Sequence, residues 1–348
     1  MDFNLSDEQN ALKDSLAKFI DRDYTFDDRW KIIKSTEGWS RKHWNQLAEI
    51  GLMALPVAEA DGGLGGTGVD TMLVMEELGR GLVVEPYLGC VVLPAALIKA
   101  AGSESQRAAL SEGLASGETL YAFAHTEPGQ RYERNAVAFA ATTKGDGYVL
   151  NGKKVSVLGG DAADQLLVSA TVAGDAGPSL FVVPAGASGI KRFAYPMQDA
   201  QRGADIEFAN VEVGADALIG ERGQAAAAID YALDVACAAL CAEAVGAMAE
   251  LHKITVEYLK TRKQFGRVIG MNQALQHRAV DMLIQQELSA ALVGHALAEL
   301  DRGCTGSERA LLAARVKSRC SEAALTIARE SVQLHGAIGH PHREAAQL

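Results

Sequence analysis

Two short segments bring polar groups into otherwise apolar helical repeats. Arg262 to Gly266 reads RKQFG and opens a run continuing VIGMNQALQHRAVDM, and Gln333 to Gly339 reads QLHGAIG. An arginine, several carboxamides, an aromatic ring and closely spaced glycines are the residue types that meet a ligand rather than fill a core. Arginine pairs with anions, carboxamides donate hydrogen bonds, and glycine allows close backbone approach. The pattern is that of a cofactor-binding site carried by a helical bundle.

The elements that must position these residues follow from periodicity. From residue 1 to about 120 apolar residues recur three and four apart, as in WNQLAEIGLMAL and VDTMLVMEELGRGL, which predicts packed helices. Ser6 is the expected N-cap of the first, with Asp7 and Glu8 set favourably against the helix dipole. Pro56 to Gly68 is too rich in glycine for a helix and reads as a loop open to a ligand. From about 121 to 222 short β-branched and aromatic runs alternate with Gly, Asp and Asn turns, KGDG and LNGKK marking hairpins, so an antiparallel β-barrel or sandwich is expected. From about 223 to 348 three long alanine-rich helical repeats predict a bundle. The fold class is therefore α+β and multidomain: N-terminal helices, middle β domain, C-terminal long helical bundle.

Composition narrows the function. The 348 residues are 48% hydrophobic, enough for a real core, and the net charge of -11 disfavours nucleic acid as a partner. The five cysteines are odd in number and lack metal-ligand spacing, which fits a cytoplasmic protein with free thiols and no metal site. No run of about 18 uncharged apolar residues is present to span a membrane.

Five segments in order resemble the acyl-CoA dehydrogenase family: FNLSDEQNALKDSL, PVAEADGGLGG with MEELGRGL, the TEPG of Thr126 to Gly129, YLKTRKQFG of Tyr258 to Gly266, and QLHGAIG. The resemblance spans nearly the whole chain. It implies a tetramer of helix, β-barrel and helix subunits that holds FAD between β domain and bundle, with the adenosine end reaching a neighbour. It also implies an acyl-CoA substrate and electron-transferring flavoprotein as electron acceptor. Arg262 is then expected at the pyrophosphate, with Gln264, Gln273 and Gln333 as amide donors and Phe265 packed on a ring. Gly336 and Ala337 would lie along the cofactor path, and Thr126 and Ser156 on the β-domain side. A surface arginine or glutamine is ordinarily solvated. Arg262, Gln273, Gln333 and Gly336 carry more because they coincide with family positions, whereas His277 and His335 are read as structural.

The chemistry of the family needs a carboxylate to take the α-proton, and here the pattern departs. An ungapped match puts Ala236 at one position used for that glutamate and Cys237 where an arginine is common. Only HPHREAAQL follows QLHGAIG, so the final helix and loop that the resemblance leads one to expect, with their glutamate, are missing or cut away. Glu243, seven residues on from Ala236, lies on the same helical face but about 10 Å further along the axis, and is the candidate base; Glu344 is a terminal alternative. Asp234 matches an aspartate that contacts the CoA portion and is expected to bind substrate. TEPG leads into Gln130, Arg131 and Tyr132 instead of a Gly-Ser-Asp element, and Ser156, Val157 and Leu158 stand where Trp-Ile-Thr commonly meets the flavin ring.

Three readings fit: a self-sufficient enzyme with a relocated base, a partner subunit with a degenerate site in an α2β2 assembly with a complete homologue, or another flavin reaction on the same fold. The partner subunit is preferred, since the chain resembles the smaller subunits of steroid or dicarboxylic acyl-CoA members.

Overall fold

A computed structural model describes residues 5–130 and 132–339. Helices α1 (Asp7–Asp23), α2 (Phe26–Ile33), α3 (Arg41–Glu49), α4 (Gly68–Arg80), α5 (Leu93–Ala101) and α6 (Glu104–Ser116) come first, α5 preceded by a π-helical turn at Leu88–Val92. Their starts are written in the sequence. Ser6 and Gln9 form a reciprocal capping pair, Thr25 and Ser40 accept from the amides of Asp28 and His43, and Ser103 with Gln106 closes a capping box. The glycine-rich loop after Pro56 is folded closely on itself: a side chain at Gly63 would collide with the Val57 carbonyl, and one at Gly66 with Leu55.

Eight strands make one sheet: β1 (Tyr121–Ala124), β2 (Ala140–Lys144), β3 (Gly147–Leu158), β4 (Gln165–Val172), β5 (Ser179–Pro184), β6 (Ile190–Pro196), β7 (Arg202–Val213) and β8 (Leu218–Ile219). The order is β6-β7-β3-β2-β4-β5-β8, with β1 also on β4. Pairing is antiparallel except where β4 meets β1 and β2, so the sheet is mixed. KGDG is the β2–β3 hairpin turn, with Lys144 opposite Gly147. LNGKK is not a turn. Strand β3 runs straight through it, and Asn151-Gly152 makes a bulge opposite β7, the Asn151 side chain accepting from the Asn210 amide. Asn-Gly serves either device, because both need one residue at unusual φ, here +141° at Gly152. Leu150, Leu166, Val168, Phe181, Ile206 and Val211 are fully buried at the centre of the sheet's core.

Helices α7 (Ala226–Thr261), α8 (Gln273–Asp301) and α9 (Gly306–His335) follow, with a two-residue-per-strand hairpin, β9 (Lys263–Gln264) and β10 (Arg267–Val268), between the first two. The Cys237 thiol meets the Ala313 carbonyl, Thr255 bonds Ser331, and the Tyr258 ring stacks on His335 at 4.6 Å, so α7 and α9 run parallel. Arg278–Glu330 and Arg319–Gln285 contacts make α8 antiparallel to α9. By length and composition α7 is apolar enough to cross a bilayer, but half of its apolar window is buried inside the protein, the condition of a core helix.

The chain forms two compact units that cut across the three sequence segments. One holds the chain through Arg22, Met72–Val83 and everything described from Cys237 on; the other holds Asp23–Thr71 and Val84–Ala236. In the first, α4 crosses α7 at paired glycines: a Cβ at Gly79 would strike the Glu243 carbonyl, and one at Gly246 the Glu76 carbonyl. Arg80 ties α4 to α1 through Asp21 at 2.8 Å.

Candidate functional site

In the bundle unit the Tyr258–His335 stack and the Thr255–Ser331 bond bring the ends of α7 and α9 side by side. The two segments singled out in the sequence therefore share one end of the bundle. Arg262, Gln273 and Gln333 are all exposed, and among the described residues their side chains make no hydrogen bond or ion pair. The Gln264 side chain donates to the carbonyl of its neighbour Lys263. Phe265 and Gly266 form the hairpin tip with φ of 52° and 79°, a pairing typical of two-residue hairpin turns but strained for phenylalanine. The Phe265 ring is completely exposed. Exposed apolar surface held on a strained backbone fits a contact with another molecule. Gly336 ends α9 at φ 63° with open space around it, and the exposed Ala337 follows in a short 3-10 turn. His335 donates from Nδ1 to the Ser331 carbonyl and stacks on Tyr258, a structural position. In a chain of net charge -11, Arg262, Lys263 and Arg267 make this end locally basic. Open amide donors, a guanidinium and an unstacked ring fit an anionic dinucleotide.

In the β unit Thr126 and Ser156 are both exposed. Ser156 sits at φ 53° beside a second β3 bulge, its amide donating to Asp205 at 3.3 Å. Beneath them lies a network that sequence reasoning missed. The Lys154 side chain is wholly buried, and its ammonium donates to Glu127 Oε1 at 2.8 Å, the His125 carbonyl at 3.0 Å and Ser169 Oγ at 3.1 Å. Burial pushes the Lys154 pKa down to about 8, against the opposing pull of Glu127. Glu127 also accepts from the amides of Ala138 and Phe139. Since Ser169 accepts from Lys154, its hydroxyl proton is available to His125 Nδ1, 2.9 Å away. The imidazole is then neutral with its proton on Nε2, directed at the Arg134 backbone. Burial, helped by the Lys154 charge, depresses its pKa to about 4. The signal was available: once β3 is read as one strand, Lys154 falls on the buried face, where a lysine requires partners.

Asp234, expected at the substrate, is buried and ion-paired. Only 1% of its side chain is exposed, and its carboxylate is paired with Arg134 at 2.6 Å, while Asn135 bonds Asp230 one turn earlier on α7. The loop after TEPG is thus fastened to α7 by two side chains, and the cation that pairs Asp234 comes from that loop while Cys237 occupies the helix position. Glu243 is half-buried on α7 at the α4 crossing. At the same crossing Glu76, not foreseen, has its pKa raised to about 7 by burial, with Lys13 opposing and Glu77 reinforcing. Ala236 offers no proton acceptor. Glu344 lies outside the described residues.

Profiles of the acyl-CoA dehydrogenase N-terminal, middle and C-terminal domains match residues 6–118, 122–211 and 224–347. The chain belongs to the acyl-CoA dehydrogenase family, whose cofactor is FAD. Among its relatives, an acyl-CoA dehydrogenase of Bacillus subtilis is 30% identical over 324 residues, 89% of this chain and 83% of that one. The butyryl-CoA dehydrogenase structure from Megasphaera elsdenii superposes with a TM-score of 0.90 at 26% identity, covering 100% of this chain and 93% of the other. The Tcur3481-Tcur3483 steroid ACAD structure gives a TM-score of 0.83 at 30% identity over 95% and 88%.

Proposed function

We propose that this chain is the partner subunit of an α2β2 assembly that carries out α,β-dehydrogenation of an acyl-CoA thioester. It lends the end of its bundle to an FAD site shared with a complete homologue, while its own pocket is degenerate. One contrast carries the reading. The bundle-end donors Arg262, Gln273 and Gln333 are open, whereas the residues that would serve a private substrate site are closed or replaced: Asp234 is paired with Arg134, and Ala236 stands at a base position.

FAD, when bound, supplies the hydride acceptor. Arg262 would neutralise the pyrophosphate, Gln264, Gln273 and Gln333 would donate amide hydrogen bonds, Phe265 would pack on a ring, and Gly336 and Ala337 would leave room for the cofactor. On the β unit, Thr126 and Ser156 would offer hydroxyls to FAD. Val280, Ile284 and Leu288 form an exposed stripe at four-residue spacing on α8. A row of exposed apolar side chains suits a face covered by another subunit. The likeness to a steroid ACAD supports a bulky acyl chain. Five free cysteines support a reducing cytoplasmic setting, and electrons would pass to electron-transferring flavoprotein.

The alternative, a self-sufficient homotetramer, is favoured by one observation: Glu76, on α4 where it crosses the α7 segment that carries Glu243, is poised near neutrality. The absorption spectrum separates the two. Purified alone the chain should be colourless, and with a co-expressed homologue it should carry flavin and reduce an acceptor dye with acyl-CoA. A yellow, active protein without a partner defeats the subunit reading, and a Glu243→Gln variant of that protein with full turnover removes Glu243 as its base.

A further inference from the structure

A lysine with no exposed surface is costly to fold. Replacing a buried ion pair by apolar groups of similar volume is often neutral or stabilising, so stability alone does not account for Lys154. Its geometry does. Two of the three ammonium hydrogen bonds go to the residues on either side of Thr126, the His125 carbonyl and the Glu127 carboxylate, and the third to Ser169 on β4. The Thr126 carbonyl is held in turn by the Val155 amide at 2.8 Å. Glu127 carries the hold onward to the amides of Ala138 and Phe139, and its own amide donates to Gln130 Oε1 at 2.9 Å, which closes the turn. Two residues beyond Lys154, the bulge turns Ser156 outward at φ 53°. Thr126 and Ser156, thirty positions apart, are thus fixed to one another by a side chain that reaches neither solvent nor ligand.

We propose that Lys154 is a positioning residue for the cofactor, gripping the 126–130 turn through Glu127 and the His125 carbonyl so that Thr126 and Ser156 form one rigid edge of the FAD site. This rests on the assignment of FAD to Thr126 and Ser156. The buried cluster supplies what exposed turn residues lack: an ammonium and a carboxylate with every strong hydrogen-bonding direction used, in surroundings where such bonds gain strength from the low dielectric. His125 extends the grip to the loop through Arg134, so the same ammonium steadies the segment that pairs with Asp234.

The test uses the full chain, with its homologue co-expressed where flavin uptake requires it. Lys154→Met is compared with wild type by FAD titration, read as flavin fluorescence quenching, and by hydrogen exchange without cofactor. Exchange at Val155, Ala138 and Phe139 should accelerate about tenfold or more while amides at the centre of β4 and β5 hold. The FAD Kd should rise about tenfold or more, as when the support of a binding group is lost. If the single variant does not fold, Lys154→Met with Glu127→Gln leaves no uncompensated buried charge and carries the same measurements. That double variant should recover the wild-type melting temperature without recovering FAD affinity, a split that a purely structural lysine would not give. An FAD Kd within about twofold of wild type in a folded variant, or unchanged exchange at the three amides, overturns the proposal. Wild type that takes up no FAD with or without a homologue defeats the underlying cofactor assignment instead, a result visible before any variant is made.

Discussion

His125 shows how one buried side chain sets a response to pH. Its ring stacks on Phe123 at 4.9 Å, and burial beside Lys154 lowers its pKa from 6.5 to about 4. Below pH 6.5 the unfolded chain takes up a proton that folded His125 refuses until about pH 4. The unfolded state therefore binds more protons across that window, and stability falls as pH falls, by up to about 3 kcal/mol from this group. Urea unfolding at pH 7 and pH 4.5 should show that loss in wild type and a much smaller one in His125→Gln, which cannot titrate. Equal slopes in the two proteins would mean that the histidine is already solvated. Legibility in the sequence follows the same division between local and distant causes. Arg262 and Gln333 stand out because each interrupts an apolar helical repeat within a few residues. Lys154, His125 and Arg134 do not, because their partners lie across 27, 44 and 100 residues of chain and become neighbours only once the sheet has closed.

At the level of elements, α4 and α7 cross in close backbone contact, built by Gly79 and Gly246 facing the carbonyls of Glu243 and Glu76. A mid-helix glycine ordinarily weakens its helix by about 1 kcal/mol relative to alanine, so on propensity alone Gly246→Ala should stabilise. Here the added methyl has no space and its neighbour is backbone that cannot rotate away. Overpacking of about 1–3 kcal/mol or more then outweighs the propensity gain. Thermal unfolding should show a lower melting temperature for Gly246→Ala, and a rise would mean that the helices separate at no cost. Helix existence, the first cap and the long bundle were readable in advance from 3.6-residue periodicity and from Ser6. The grouping of α1 and most of α4 with the C-terminal helices was not, because it depends on which faces meet, and MEELGRGL reads as an ordinary amphipathic run. The β domain was readable as strands but not as a mixed sheet: parallel pairing of β4 with β1 and β2 joins segments distant in sequence, and periodicity carries no information on strand direction.

For the whole molecule, the question is what covers the outer face of α8. Val280, Ile284 and Leu288 are 52%, 47% and 55% exposed, and all three lie on one stripe because four residues advance a helix by little more than one turn. Leu311 and Leu325 on α9 are also about half exposed. A monomer scatters such residues, whereas a run of them along one helix suits a surface that another chain dries. Charge placed there tests this without touching the bundle-end donors. Ile284→Asp with Leu288→Asp should leave helical content and cooperative unfolding in place, because neither side chain is in the core, yet shift the protein to monomer in analytical ultracentrifugation. Two carboxylates that must be desolvated on association cost several kcal/mol, enough to dissolve an ordinary subunit contact. If Arg262 and Gln333 act on a cofactor shared between subunits, flavin content should fall together with assembly in the same preparation, although both residues are unaltered. Assembly that survives the charges places the subunit contact on another surface, and flavin retained by a monomeric variant shows that each chain holds its cofactor alone.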